Sequence, residues 1–121
     1  MPETKPFSQK RPWGEFRQFT SHEPVTVKTI LVKEGESLSL QFHHARTEFW
    51  RILSGTPEVT VGDVVVKAKP GDEFTVPTET NHRIQAIGSD AELLEISRGI
   101  FEEDDIVRIE DKYGRAQNSK N

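Results

Sequence analysis

Short segments in which apolar and polar residues alternate follow one another through most of the chain. Such alternation is typical of strands that bury one face. Two of these segments flank Gly62-Asp63, a pair typical of two-residue hairpin turns. We predict eight strands, over residues 25–32, 37–43, 49–53, 58–61, 64–68, 74–76, 83–87 and 93–97. Because no amphipathic helix of useful length interrupts them, the pattern favours an all-β sandwich or closed barrel.

The two ends of the chain lack this alternation. We predict a flexible arm over residues 1–10, one barrel domain over 11–115 and a disordered tail over 116–121. Asp104 and Asp105 lie in an acidic segment, where they could cap one short helix, because aspartate is a preferred N-cap residue. We expect the arm and the C-terminal segment to pack on the barrel.

Size and charge limit the possible functions. A chain of 121 residues fits one core, and its net charge of −4 argues against a nucleic-acid partner. With no cysteine, disulfides and thiolate metal sites are excluded. No apolar run approaches the roughly 20 residues that cross a bilayer, and the start lacks a secretory signal, so we expect no membrane partner and a cytoplasmic location. An anionic ligand would need local arginines to hold it.

Four side chains of metal-binding types are spaced so that they can converge on one ion. Gln41 and His43 are two residues apart on a predicted strand and therefore share a face. Glu48 opens the next strand and His82 enters a later one. A barrel of about eight strands can hold one small ion among its inward side chains. Imidazole, carboxylate and amide groups suit Zn²⁺ or Fe²⁺ better than Ca²⁺ or Mg²⁺.

These spacings resemble the two sequence motifs of the cupin superfamily. The first motif is matched by Gly35, Gln41, His43, Glu48 and Gly55, and the second by Gly71, Pro77 and His82. The chain departs from the motifs at Gln41, which replaces a histidine, and at Glu79 and Ala86. The resemblance implies a single-domain cupin fold, a double-stranded β-helix or jelly-roll barrel, with a metal ion inside it.

Longer stretches resemble one group of cupins, from about Arg11 to Arg115. They include Arg11-Pro-Trp-Gly-Glu-Phe16, Ser54-Gly-Thr56 and the ending Asp105-Ile-Val-Arg-Ile-Glu-Asp-Lys-Tyr-Gly-Arg115. The group is the C-terminal half of bifunctional mannose-6-phosphate isomerase/mannose-1-phosphate guanylyltransferase. The resemblance implies an aldose–ketose isomerase that interconverts mannose 6-phosphate and fructose 6-phosphate. The implied cofactor is one divalent ion, with zinc as the first expectation and iron, cobalt, manganese or nickel also compatible.

The resemblance also implies roles for individual residues. The metal ligands would be Gln41, His43, Glu48 and His82, and the phosphate of the sugar would be bound by Arg11, Arg108 and Arg115. The catalytic residues would be Glu48, Arg108 and Arg115. His44 is a further candidate, as a proton shuttle, on chemical grounds, because imidazole titrates near neutral pH. Strand alternation points His44 away from His43, which makes it the weakest of these candidates.

Two substitutions leave other functions open. Ala45 and Phe49 stand where the group commonly has histidines, and the loss of a proton-transfer group typically slows a reaction by about 10²–10⁴-fold. One alternative is a non-catalytic, metal-containing module that binds sugar phosphates. Another is an iron-dependent dioxygenase with His43, His82 and Glu48 as a facial triad.

Arg46 is expected on the exterior of the barrel.

An apolar row predicts a partner for the barrel. Leu38, Leu40 and Phe42 alternate with the residues of the predicted metal face and should therefore lie outside. Such a row needs cover, and a second copy of the chain is the economical solution. We expect a homodimer.

Overall fold

The structure is a computed structural model, and it describes residues 5–99, 102, 104–111 and 113–114. These residues form eleven strands and no helix. The strands are β1 (Phe7–Arg11), β2 (Gly14–Gln18), β3 (Val25–Val32), β4 (Leu40–Phe42), β5 (Arg46–Ser54), β6 (Glu58–Val61), β7 (Val64–Lys67), β8 (Glu73–Val76), β9 (His82–Gln85), β10 (Ala91–Gly99) and β11 (Val107–Glu110).

Two sheets enclose the core, and the hairpin of β1 and β2 forms a small third sheet. One large sheet has the strand order β3-β10-β5-β8, and the other has the order β11-β4-β9-β6-β7. All pairings between these strands are antiparallel. This arrangement confirms the predicted all-β, single-domain jelly roll.

The core is built from alternate residues of both large sheets. Trp50, Ile52 and Leu93 from the first sheet pack with Val59 and Ile84 from the second, and all five are buried. Burying a side chain of this size stabilises the fold by about 1.5–3 kcal/mol. Further along the same strands, the inward positions are occupied by polar residues. Because alternation fixes which residues face inward, these polar side chains also point into the barrel.

Each of the eight predicted strands overlaps an observed one, and the strands over residues 25–32 and 58–61 have the predicted bounds. The predicted hairpin at Gly62-Asp63 is also confirmed, since β6 and β7 pair on either side of it. The predicted third strand begins three residues too late, at 49 instead of 46. That difference matters for the site described below.

The predicted helix in the acidic segment is wrong. Residues Val107–Glu110 form β11, which pairs with β4 and covers the edge of its sheet. The carboxylate of Asp105 accepts hydrogen bonds from the backbone N–H groups of His44 and Ala45, each 2.9 Å away. Asp105 therefore caps a turn between two strands instead of starting a helix.

The N-terminal hairpin packs on the barrel through an ion pair. Arg17 on β2 donates from Nε to the Glu73 carboxylate on β8, 3.3 Å away. The predicted boundary between residues 10 and 11 falls inside β1. The predicted tail, residues 116–121, lies outside the described residues.

The apolar row behind the predicted homodimer is only partly external. Leu38 packs against the core, and Leu40 and Phe42 are half-buried. The homodimer stays a prediction. In the described part of the chain, no helix is long and apolar enough to cross a membrane.

Candidate metal centre

Three potential metal ligands meet inside the barrel. His43 directly follows β4, Glu48 lies on β5, and His82 is the first residue of β9. Their exposed fractions are 2%, 3% and 1%. Two sheets thus contribute to one buried cluster, as the sequence spacing predicts for these three residues.

The distances within this cluster match those between neighbouring ligands of one ion. The Nε2 atoms of His43 and His82 are 3.2 Å apart. Glu48 lies 3.3 Å from His43 through Oε2 and 3.5 Å from His82 through Oε1. Ligands at about 2.0–2.1 Å around a tetrahedral zinc ion are separated from one another by about 3.4 Å. The residues present therefore fit a divalent metal ion, and their number leaves coordination positions for other groups.

Hydrogen bonds to the backbone orient both imidazoles. His43 Nδ1 lies 2.5 Å from the carbonyl oxygen of Asp105, and His82 Nδ1 lies 2.9 Å from that of Thr80. A carbonyl oxygen can only accept, so each Nδ1 carries the proton and donates it. In the neutral rings each Nε2 then has a lone pair directed into the cluster, which is the tautomer that binds metal.

Burial keeps the two rings neutral. Desolvation lowers the pKa of His82 to about 4 and also lowers the pKa of His43. In both cases the backbone hydrogen bond opposes this effect without cancelling it. Neutral imidazole is the form a metal requires, so proton competition at these ligands is weak at neutral pH.

Arg46 also belongs to this cluster, and its predicted exterior position is wrong. Its side chain is buried, with Nε 3.2 Å from Glu48 Oε2 and Nη2 3.2 Å from His43 Nε2. Its Nη1 donates to the carbonyl oxygen of Glu102, 3.1 Å away. Because β5 starts at Arg46, two residues before Glu48, both side chains point inward.

Glu95 is a second buried carboxyl group that sequence reasoning missed. It accepts a hydrogen bond from Trp50 Nε1 at 3.2 Å, and Lys28 Nζ lies 3.5 Å from its Oε2. Burial, and then the nearby charge of Glu48, raise the pKa of Glu95. Its inward position follows from alternation with Leu93 and Ser97 on β10, a signal that was available in the sequence.

Gln41 and Arg108 lie in one row with His82. Arg108 on β11 pairs with Gln41 on β4, and Gln41 pairs with His82 on β9, so all three share the inner face. The amide oxygen of Gln41 accepts a hydrogen bond from Ser39 Oγ at 2.5 Å. The Nε atom of Arg108 is buried without a hydrogen-bond partner in the described structure. The ligand role of Gln41 stays a prediction.

Two other predicted site residues, Arg11 and His44, do not join the cluster. Arg11 lies on the N-terminal hairpin, where its guanidinium sits over the Phe16 ring at 5.1 Å from the ring centre. His44 is exposed and contacts Glu79 at 3.4 Å. Arg115 lies outside the described residues.

Neither position where the group commonly has a histidine faces the ligands. Phe49 is on the outer face of β5, where it packs against Phe19 with ring centres 5.6 Å apart. Ala45 is exposed in the turn before β5. The two substitutions therefore alter the outer face of β5 and the turn before it, and they leave the side chains of the ligand cluster unchanged.

A jelly-roll barrel with an inward His-Glu-His cluster defines the cupin class. A cupin protein from Bacteroides fragilis has the same fold, with a TM-score of 0.57 and 21% identity over 62% of this chain and 65% of that chain. Within this class, the chain belongs to the family described as mannose-6-phosphate isomerase C-terminal, whose sequence model matches residues 4–111.

Curated relatives place the family in mannose metabolism. The chain is 44% identical to xanthan biosynthesis protein XanB of Xanthomonas campestris and 39% identical to mannose-1-phosphate guanylyltransferase ManC of Salmonella typhimurium. Each match covers 87% of this chain, but only 23% and 22% of the respective relatives. The chain thus spans less than a quarter of the length of these relatives.

These relatives correct the predicted function. The sequence analysis expected an isomerase acting on mannose 6-phosphate, and this expectation is wrong. The relatives are named for guanylyl transfer to mannose 1-phosphate and for polysaccharide biosynthesis, not for isomerisation. The physical reason for the error is that the fold and ligand cluster are shared by many cupins, so they do not select one reaction.

Proposed function

We propose that this chain is a metal-dependent cupin domain that binds a phosphorylated mannose sugar for guanylyltransferase-type mannose metabolism. The observation that carries the proposal is the cluster of three buried ligand residues, whose contacting nitrogen and oxygen atoms lie 3.2–3.5 Å apart, beside inward arginines. The relatives named for mannose-1-phosphate guanylyl transfer and xanthan synthesis supply the metabolic setting.

Zinc is the ion we propose for the cluster. His43, His82 and Glu48 offer two imidazole nitrogens and one carboxylate, a donor set that recurs in zinc sites that bind an exchangeable ligand. Gln41 is the candidate for a fourth protein ligand, because its amide oxygen has two lone pairs and can bind the ion while it accepts from Ser39. When bound, the ion would supply positive charge to an oxygen atom of the ligand.

Arg108 is the proposed phosphate-binding residue. Its buried Nε atom has no partner in the described structure, and a buried donor without a partner is costly. A phosphate oxygen would satisfy it and would meet a guanidinium suited to bidentate binding. Since the chain carries a net charge of −4, such a local cation is needed to hold an anionic ligand.

A calorimetric titration with mannose 1-phosphate tests this function. We expect the zinc-loaded protein to bind mannose 1-phosphate, and EDTA to abolish the binding. Arg108→Met should weaken binding at least tenfold, the loss expected for one charge-assisted hydrogen bond. The matched control is Arg83→Met, which removes an arginine that pairs with Glu110 on the surface. Equal binding of unphosphorylated mannose, or no binding, would contradict the proposal.

A further inference from the structure

A permanent positive charge lies against two of the three candidate metal ligands. Arg46 donates from Nε to Glu48 and from Nη2 to His43 Nε2, at 3.2 Å in each case. Its side chain is only 6% exposed, so water screens this charge poorly. A guanidinium does not lose its proton in a protein, so this cation cannot be neutralised.

The hydrogen bond between Arg46 and His43 uses the lone pair that a metal ion needs. Because His43 Nδ1 donates to the Asp105 carbonyl, the only lone pair in the plane of the neutral ring is on Nε2. One lone pair cannot accept from Arg46 and bind a metal at once. Glu48 differs, since a carboxylate has lone pairs for both partners.

Distance makes the conflict stronger. An ion bound about 2.1 Å from His43 Nε2 would lie within about 5 Å of Arg46 Nη2 unless the guanidinium moved. Like charges this close in a buried site repel each other strongly. A metal ion and Arg46 in its observed position therefore compete for the same His43 lone pair, and their positive charges also repel each other.

We propose that Arg46 is a built-in competitor that holds the ligand cluster together without metal and must withdraw from His43 when metal binds. The inference rests on the metal site of the proposed function. In the metal-free protein the guanidinium balances the Glu48 carboxylate, which would otherwise be a buried charge. The device lowers the affinity of the site for cations, and the displaced guanidinium stays beside the pocket as a donor for an anionic ligand.

Zinc titrations of matched variants test the competition. We expect Arg46→Met to bind zinc at least tenfold more tightly than the wild type, because both the competitor and its charge are gone. Arg46→Lys keeps the charge but loses the forked contact with Glu48 and His43, so its zinc affinity should lie between those of the wild type and Arg46→Met. Arg83→Met removes an equal charge from the surface and should leave zinc affinity unchanged.

The outcomes separate this inference from the proposed function. If the wild type binds zinc and folded Arg46→Met binds it equally or less tightly, Arg46 supports the metal and the competition is wrong. If neither protein binds zinc, the metal site itself is wrong and the inference falls with it. If circular dichroism shows that Arg46→Met does not fold, Arg46→Gln replaces it with the same expectation.

Nitrogen-15 NMR of the wild type is a second test. The Arg46 Nε signal should shift when zinc is added, while the Arg51 Nε signal should stay. An unshifted Arg46 signal would overturn the proposal.

Discussion

His43 donates a hydrogen bond from Nδ1 to the backbone carbonyl oxygen of Asp105, 2.5 Å away and 62 residues later in the chain. The same Asp105 holds the next two backbone N–H groups, those of His44 and Ala45, with its carboxylate. One residue of the C-terminal segment thus fixes both the ring of a candidate ligand and the turn that carries it. The segment is part of the site and not an accessory to the barrel.

Asp105→Ala should therefore loosen the turn at His43. The substitution removes two hydrogen bonds to a charged group, and we expect the free energy of unfolding to fall by about 1–3 kcal/mol. Chemical denaturation measures this loss, and zinc affinity should fall with it. Asp104→Ala is the control, because Asp104 is exposed and its carboxylate makes none of these contacts. Equal losses of unfolding free energy in both variants would show that the effect comes from the change in net charge and not from the hydrogen bonds of Asp105.

The same contact gives a pH dependence. The hydrogen bond from the His44 N–H, and then that from Ala45, hold the pKa of Asp105 below its ordinary value. A lowered carboxyl pKa gives stability that is present above the unfolded pKa of about 3.9 and is lost as pH falls through the folded value. Asp105→Ala should therefore differ from the wild type less at pH 2 than at pH 7.

His82 makes the metal-free protein less stable in mild acid. Burial lowers its pKa to about 4, so between about pH 6.5 and 4 the unfolded chain binds a proton that the folded protein does not. Stability from this residue is complete above pH 6.5 and falls by about 3 kcal/mol by pH 4. Unfolding in EDTA across this range measures it.

The control for the His82 prediction is another histidine. His82→Asn should reduce the slope of the stability profile between pH 6.5 and 4 without removing it, because burial also lowers the pKa of His43. His22→Asn should leave it unchanged, because His22 is exposed and asparagine tolerates its positive φ of 50°. A profile that keeps its slope in His82→Asn would show that another group causes the acid sensitivity.

Glu95→Gln should stabilise the metal-free protein at neutral pH. Burial and the Glu48 charge raise the pKa of Glu95, so its ionisation costs stability as pH rises through the unfolded value. Glutamine keeps an oxygen to accept from Trp50 and removes the charge. We expect a gain of about 1 kcal/mol at pH 8 and less at pH 4. Glu92→Gln, on the other face of β10, is the control, and a loss of stability in Glu95→Gln would mean that the ion pair with Lys28 dominates.

Two glycines with the same backbone angle offer a matched test of the fold. Gly55 and Gly35 both have φ of +81°, a region that favours glycine. A Cβ on Gly55 would lie 2.3 Å from the Asp90 carbonyl oxygen, whereas one on Gly35 would meet nothing within 4 Å. Gly35→Ala should cost about 1–2 kcal/mol, and Gly55→Ala at least about 2 kcal/mol more. Thermal unfolding measures both, and equal losses would contradict the close approach of these loops.

The strands of the barrel could be predicted from the sequence because burial of one face imposes alternation on each of them. The His43, Glu48 and His82 cluster could be predicted as well, since motif spacing placed all three on inward positions. The C-terminal strand could not, because it exists only by pairing with the edge of β4, 65 residues away for Val107 and Phe42. Local acidic residues at 104 and 105 look the same whether they cap a helix or a turn.

The buried charges were missed for a different reason. The sequence analysis expected Arg46 to alternate away from the ligand residues, but it lies two residues before Glu48 on β5, so both side chains point inward. Glu95 lies within a correctly predicted strand, but an inward carboxyl group is expected only where partners exist. Those partners, Trp50 and Lys28, come from two other strands, so only the assembled sheet reveals them.

The central claim is that His43, Glu48 and His82 bind one divalent ion together. Zinc analysis of the purified protein, with a calorimetric titration of the EDTA-treated form, tests it most directly. We predict one zinc ion per chain, with affinity reduced at least about 100-fold in Glu48→Gln and unchanged in Glu92→Gln. No bound zinc in the wild type, or equal binding by Glu48→Gln, would contradict the claim.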